Sequence, residues 1–383
     1  MTQLRIPAVY MRGGTSKGVF FVASDLPPDR TARERLLLRV IGSPDRYGKH
    51  IDGIGGATSS TSKVVIASKS ARADSDVDYL FGAVAIDRPV IDWSGNCGNL
   101  TAAVGPFAIR AGLVQAPHDS AATVRIWQAN IGKRIVARVP MRGGEVLEEG
   151  DFELDGVTFP AAEIPLEFLD LGADDESGPM FPTGSTIDRL ALPDGESLEV
   201  TLINAGNPTI FIDAASLGLK GTELQPDVNT NPALLSRAET IRAHGAVAMG
   251  LAESAAEATA RRPATPKLAL VARPATYAAS DGKIIGAANI DLLARIFSMG
   301  QLLHAMTGTG AVAIAAAAAV PGTCVHRLCA SSGGRRIRFG HPSGTLTVGA
   351  DVSQQEGGWI VTKALMSRTA RRLMEGWVLV PDA

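Results

Sequence analysis

Twice along this chain a turn of small and polar residues opens onto a helix built almost wholly of small apolar residues. The first opening is Asn96-Cys97-Gly98-Asn99, and a glycine, Gly112, follows Gly98 by fourteen residues. The second is Met306-Thr307-Gly308-Thr309-Gly310, and Gly322 follows Gly308 by the same fourteen. A helix with no polar face has nothing to offer water and must be enclosed by its neighbours. Strands can close tightly around Ala, Val and Gly. The chain has 383 residues, room for two or three domains. The pattern therefore reads as a duplicated domain, a sheet wrapped around a central helix, with chance spacing as the competing explanation.

Local signals fill in the rest. Residues 4–10 and 19–23 read as strands flanking the glycine-rich turn Arg12 to Gly18, and Arg30 to Ile41 as a helix ended by Gly42-Ser43-Pro44. Val64 to Ala67 reads as a strand, and Ala122 to Phe159 as a β-meander with Gly143-Gly144 and Asp155-Gly156 turns. The polar stretch Leu171 to Thr186 marks a joint between domains. Asn231-Pro232 is a helix start, with Asn as cap and Pro in the first turn. That helix is expected to run to about Arg262, with an interruption at Gly245, and to offer a surface for self-association. Ile290 to Met306 reads as a further helix.

Composition removes several classes. Lys plus Arg number 37 against 39 Asp plus Glu, a net charge of −2, so the basic surplus of a nucleic-acid or anionic-membrane binder is missing. The most apolar run, Ala311 to Val320, is shorter than the ~20 residues a bilayer requires. The opening Met1-Thr-Gln-Leu-Arg-Ile-Pro lacks the apolar run of a secretory signal. Three cysteines, Cys97, Cys324 and Cys329, suit a reducing compartment better than a disulfide framework, and a cytoplasmic location is expected. Cys324-x-His326-x-x-Cys329 has no second cluster to complete a metal site, so no metal is expected.

The chemistry concentrates at the helix starts and in the Gly loops. Each helix start exposes backbone N–H groups and a partial positive charge, and small residues let an anion come close. Two such starts suit a ligand with several carboxylates, although either one alone is equally a capped helix with glycine for packing. Cys97 stands at one start, where the thiolate is favoured and proton transfer becomes possible. An inert buried thiol is the alternative. Lys63 ends the loop from Gly53, and Lys17 sits in the similar Thr15-Ser16-Lys17-Gly18. A desolvated lysine, or one beside a second cation, serves as a base. Either could instead clamp a carboxylate or lie exposed at a strand end. Neither loop is a P-loop, since Ser16 and Ser62 stand where Gly should precede Lys. Gly308-x-Gly310 lacks the third glycine of a dinucleotide fingerprint. His341, in Gly340-His341-Pro342-Ser343-Gly344, reads as a turn residue or a ligand contact.

Taken in order, three segments are no longer generic. Met11-Arg-Gly-Gly-Thr-Ser-Lys-Gly-Val-Phe-Phe21, Asp52-Gly-Ile-Gly-Gly-Ala-Thr-Ser-Ser-Thr-Ser-Lys63 and Asp92-Trp-Ser-Gly-Asn-Cys-Gly-Asn-Leu100 resemble the PrpF family, whose namesake is a 2-methylaconitate cis–trans isomerase. Gly206-Asn-Pro208, Thr307-Gly-Thr-Gly310 and Phe339-Gly-His-Pro-Ser-Gly344 carry the resemblance almost to the end of the chain. It implies an α+β, diaminopimelate-epimerase-like fold of two pseudo-symmetric domains, each a curved sheet around a central helix, with the active site between them. The first domain would be residues 1–185, rejoined by 366–383, and the second 186–365.

The resemblance also implies allylic proton transfer on a small unsaturated tricarboxylate, without metal, flavin or pyridoxal cofactor. Lys63 and Cys97 fall on the family's catalytic positions. Candidate substrate-binding residues are Gly14, Thr15, Ser16, Lys17, Ser62, Asn96, Gly98, Asn99, Asn207, Thr307, Gly308, Thr309, His341 and Ser343. Epimerases of this fold carry a second cysteine at the other helix; Thr307 stands there, which argues against a symmetric two-thiol racemase. A functional pairing with an aconitase-like 2-methylcitrate dehydratase is implied. Oxalomesaconate, methylitaconate or aconitate are alternative substrates, and a non-catalytic carboxylate-binding protein is the alternative class.

Overall fold

The computed structural model describes residues 3–171, 178–330, 336–355 and 358–381. The chain divides into two compact units, Met1–Leu166 with Ser367–Ala383, and Glu167–Met366. Residues 172–177 of the polar stretch read as a joint lie outside the described residues.

In the first unit, strands Gln3–Gly13 and Ser16–Val22 form an antiparallel hairpin. Ser16–Val22 then pairs in parallel with Lys63–Lys69, which pairs antiparallel with Val77–Val84. Val77–Val84 pairs in parallel with Ala122–Gln128, and that strand antiparallel with Lys133–Val139. Strand Ala370–Pro381 adds to the outside of Gln3–Gly13. Parallel neighbours cannot be joined by a tight turn. Each parallel pair is accordingly bridged by a helix: Arg30–Ile41 between the first two parallel strands and Gly98–Arg110 between the second two.

The two helices lie on opposite faces. Along a strand successive side chains alternate, so Val19, Phe21, Val64 and Ile66 meet Leu37, Val40 and Ile41 of the first helix. Gly18 and Phe20 turn the other way, to Leu100 and Phe107 of the second, with the Phe20 and Phe107 rings 5.4 Å apart. Helix Gly98–Arg110 is buried continuously from Gly98 to Ala108. Its small residues are a steric requirement: a Cβ on Gly105 would sit 2.7 Å from Val139. Leu100→Ala, at a fully buried position in this helix, is expected to lower stability by about 2–5 kcal/mol, read as a reduced urea midpoint.

The second unit repeats the same succession. The hairpin Ser197–Ala205 and Asn207–Asp213 leads to Lys267–Ala272 in parallel, Leu292–Ser298 antiparallel, Arg336–His341 in parallel and Gly344–Gln355 antiparallel. Helices again bridge the parallel steps, Pro232–Ala248 with Ala255–Arg261 first, and Gly308–Ala319 second. The enclosed helix is once more the second, buried from Gly308 to Ala318. The repetition seen in the spacing of two glycines is thus a repetition of the whole strand order.

Two local expectations are corrected. Ile290 to Met306 is not helical but holds strand Leu292–Ser298, all seven residues of which are buried. Ile296 packs toward Gly310 of the central helix, while Leu293 and Phe297 enter the outer core. A strand covered on both faces loses its alternation, and its apolar run is then indistinguishable from a buried helix. The long helix from Pro232 breaks after Ala248, not at Gly245. Gly245 stays helical because its bare Cα makes room for Ile210, whose Cδ1 would lie 2.2 Å from an added Cβ. The capping expectation holds, with Asn231 accepting from the Leu234 N–H.

Candidate active site

Lys63 opens its strand directly beside the hairpin, and the alternation that sends Val64 to the outer core sends Lys63 to the central-helix face. Its Nζ lies 5.0 Å from the centroid of the Phe81 ring and donates to Cys97 Sγ at 3.6 Å. Cys97 is the residue before helix Gly98–Arg110 and makes no capping bond with its side chain, so the thiol is turned to the lysine. Its backbone carbonyl accepts from the Thr101 hydroxyl at 3.0 Å and from the Tyr79 phenol at 3.4 Å. Full burial, with the nearby Cys97 sulfur, holds the Tyr79 phenol well above its ordinary pKa. It therefore remains a donor at any working pH.

The hairpin tip fits against the start of the same helix. Gly13 pairs with Ser16, which leaves Gly14 and Thr15 as the turn, and Gly14 has φ of +50°. A positive φ at the first turn position is what a tight two-residue hairpin of this hand demands. A Cβ on Gly13 would lie 2.6 Å from the Asn99 carbonyl oxygen, so the backbones touch there. Asn99 Nδ2 donates to Thr15 Oγ1 at 2.9 Å. Asn99 Oδ1 accepts from Arg368 Nε at 3.0 Å. Arg12 Nη1 ties the turn to the returning chain through the Gly14 and Thr369 carbonyls and the Thr369 hydroxyl. Burial pushes the pKa of Arg12 down to about 10, helped by Arg371, and that of Arg368 down to about 10 against the opposing pull of Cys97. Both remain cations at neutral pH.

The structure thus brings Gly14, Thr15, Ser16, Lys63, Asn96, Cys97, Gly98 and Asn99 to one end of one helix, all but Thr15 and Lys63 of them buried. Lys17 and Ser62 are placed otherwise. Lys17 lies on the opposite face of the hairpin, with Nζ 5.5 Å from the Tyr10 ring. Ser62 is fully buried and its hydroxyl meets His50 Nδ1 at 3.3 Å. Sequence reasoning missed Tyr79 and Arg368, since neither lies in a motif that carries chemistry.

In the second unit, Thr307 caps helix Gly308–Ala319 by accepting from the Gly310 N–H. Gly308 and Thr309 are buried in its first turn, and Asn207 is buried beside Gly206, the hairpin glycine that approaches the Thr309 carbonyl. His341 ends its strand and is buried; its Nδ1 accepts from the Ser343 N–H, and the Ser343 hydroxyl donates to the His304 carbonyl. Among the described residues no group of three or more His, Cys, Asp or Glu side chains is arranged to hold a metal, and no helix is long and apolar enough to cross a membrane.

Residues 3–381 match the family described as PrpF protein. The chain belongs to the PrpF family. Among curated relatives, PrpF-family proteins named 2-methyl-aconitate isomerase in Cupriavidus necator and 3-methylitaconate isomerase in Eubacterium barkeri are 60% and 39% identical to it. The alignments cover 99% of this chain and 98% of the first relative, and 100% and 98% for the second. The solved structure of a methylitaconate-delta-isomerase superposes with a TM-score of 0.76 at 38% identity, covering 99% of this chain and 96% of that one. A hydroxyproline epimerase from Agrobacterium vitis superposes at 0.55 with 11% identity over 99% of this chain and 93% of its own, and shows the fold alone. The PrpF-family chain has the diaminopimelate-epimerase-like fold.

Proposed function

We propose that this chain is an isomerase of small unsaturated tricarboxylates, acting by allylic proton transfer, with 2-methylaconitate as substrate. The observation that carries the chemistry is the Lys63–Cys97 contact of 3.6 Å at the start of an enclosed helix. The substrate follows from the 60% identity to a 2-methyl-aconitate isomerase across nearly the whole chain.

In the proposed reaction a base takes a proton from a carbon conjugated to a carboxylate-bearing double bond. The C–H electron pair enters the conjugated system, the original C=C loses order, and the skeleton can rotate about it. A proton returned to the same carbon restores the double bond in the other geometry. Returned at the far end of the system, it moves the double bond instead. One site can therefore support both cis–trans and positional isomerisation of such acids. The cost lies in the dienolate charge, which fixed N–H dipoles at a helix start stabilise without reorganising.

Lys63 is proposed as the base and Cys97 as its proton-transfer partner. Gly14, Thr15, Ser16, Asn96, Gly98 and Asn99 are proposed to orient a carboxylate. By the same physical argument the second helix start, Thr307–Thr309 with Asn207, is proposed as a carboxylate site in its own right. The reaction needs no redox partner or prosthetic group, and its substrate would come from dehydration of 2-methylcitrate in the cytoplasm.

The test is proton NMR in D2O with 2-methylaconitate, aconitate and oxalomesaconate in separate tubes. Interconversion of the methylaconitate isomers with deuterium entering an allylic carbon is expected. Turnover of another acid alone moves the substrate and keeps the chemistry. Folded protein that exchanges nothing would leave a carboxylate-binding protein as the better reading.

A further inference from the structure

We propose that Arg368 is a positioning residue of this site, a permanent cation that holds negative charge at the start of helix Gly98–Arg110 and fixes Asn99 there. The inference deepens the proposed isomerase reading and rests on it for its kinetic part.

Arg368 is 1% exposed, among the largest fully buried side chains of the chain. Its Nε donates to Asn99 Oδ1 at 3.0 Å and its Nη1 to the Ser367 carbonyl at 3.0 Å. Among the described residues no carboxylate pairs with it. Burying a guanidinium is expensive unless a negative group repays part of the cost. Cys97, two residues before its hydrogen-bond partner Asn99, opposes the loss of that charge. Its stem also packs on the hairpin tip: a Cβ on Gly14 would lie 3.1 Å from Arg368 Cδ.

Lys63 and Tyr79 also meet Cys97, and Arg12 binds the hairpin tip through the Gly14 and Thr369 carbonyls. Tyr79 is held neutral, and Asp92 is occupied by the Ser94 N–H and hydroxyl. The fixed charges bonded at this helix start are thus the guanidiniums of Arg368 and Arg12, beside the Lys63–Cys97 pair. A guanidinium bonded to Asn99 at this helix start sets a fixed positive charge where negative charge, on a thiolate or on a dienolate, would form. Lysine alone would supply charge that comes and goes with its own proton; the guanidinium cannot be deprotonated at working pH.

The experiment compares wild type, Arg368→Gln and Arg368→Lys, each verified as folded by circular dichroism. The first readout is the rate at which iodoacetamide alkylates Cys97 at pH 7.5, followed on the Cys97 peptide by mass spectrometry, because Cys324 and Cys329 are also free. The second is thiolate absorbance at 240 nm, referenced to Cys97→Ser. The third is kcat against KM. Arg368→Gln is expected to slow alkylation at least tenfold and to lower kcat about a hundredfold, with KM changed less than threefold. Arg368→Lys should retain alkylation within threefold.

Alkylation and absorbance in Arg368→Gln within twofold of wild type would overturn the proposal. So would a loss in Arg368→Lys equal to that in Arg368→Gln, since charge would then not be the operative property. If Arg368→Gln does not fold, Arg368→Lys decides alone: reactivity within threefold sustains the proposal and a tenfold loss overturns it. Alkylation needs no substrate, so failure of the isomerase reading with any of the three acids leaves this outcome separately legible.

Discussion

Lys63→Ala should lower kcat by at least about a thousandfold, within the range removal of a general base produces, while leaving a folded protein. The side chain is only partly buried, its Nζ meets Cys97 and the face of Phe81, and among the described residues no carboxylate pairs with it. Removing it leaves no orphaned buried charge. The informative partner is Lys63→Arg. If Lys63 only clamps a substrate carboxylate, arginine should serve, and much of the activity should survive. If Lys63 takes the proton, arginine is as poor as alanine, because a guanidinium stays protonated. We expect the second result. Lys17→Ala supplies the control: that lysine lies over Tyr10 on the other face of the hairpin, and its loss should change kcat less than tenfold. Initial rates with the substrate identified by NMR check all three, and near-wild-type turnover in Lys63→Ala would sink the base assignment.

What could be read from the sequence depended on whether local chemistry or distant contact carries the information. Helix Arg30–Ile41 was legible because its apolar period and the Gly42-Ser43-Pro44 stop act within a few residues, Gly42 being left-handed in the structure. The enclosed helices were legible because a helix without a polar face has only one place to go. Lys63 and Cys97 stood out individually, one at the end of a Gly loop, the other at a helix start; the 3.6 Å between them is a product of the fold. Strand Leu292–Ser298 was illegible because burial on both faces erases the period that would reveal it. Arg368 was illegible for a different reason. Nothing near it in sequence sets it apart, and its partner Asn99 is 269 residues away. Ser62 shows the converse: it adjoins Lys63 in the same motif, yet it lies in the loop before the strand and its hydroxyl meets His50.

Cys97→Ser should lower kcat about a hundredfold or more, a loss in the range of a general acid–base partner, because a serine hydroxyl does not ionise at neutral pH. The decisive measurement is the double variant. Residues that work as a unit lose their effects non-additively, since the second deletion removes what the first has already disabled. With Lys63 as base and Cys97 acting on it across 3.6 Å, Lys63→Ala with Cys97→Ser should fall no more than about tenfold below Lys63→Ala alone. Multiplied losses would mean that the two groups contribute independently. Deuterium labelling separates the remaining schemes. When one group both removes and returns the proton, some of the substrate's own hydrogen comes back, and product formed in D2O carries less than one deuterium per turnover. When lysine takes the proton and cysteine gives another, each turnover places one solvent deuterium in the product. Partial labelling in wild type would leave Lys63 carrying the proton both ways with Cys97 tuning the charge beside it, whereas full labelling is the result expected of the two-residue scheme and is matched by a single lysine only if it exchanges with solvent before returning the proton.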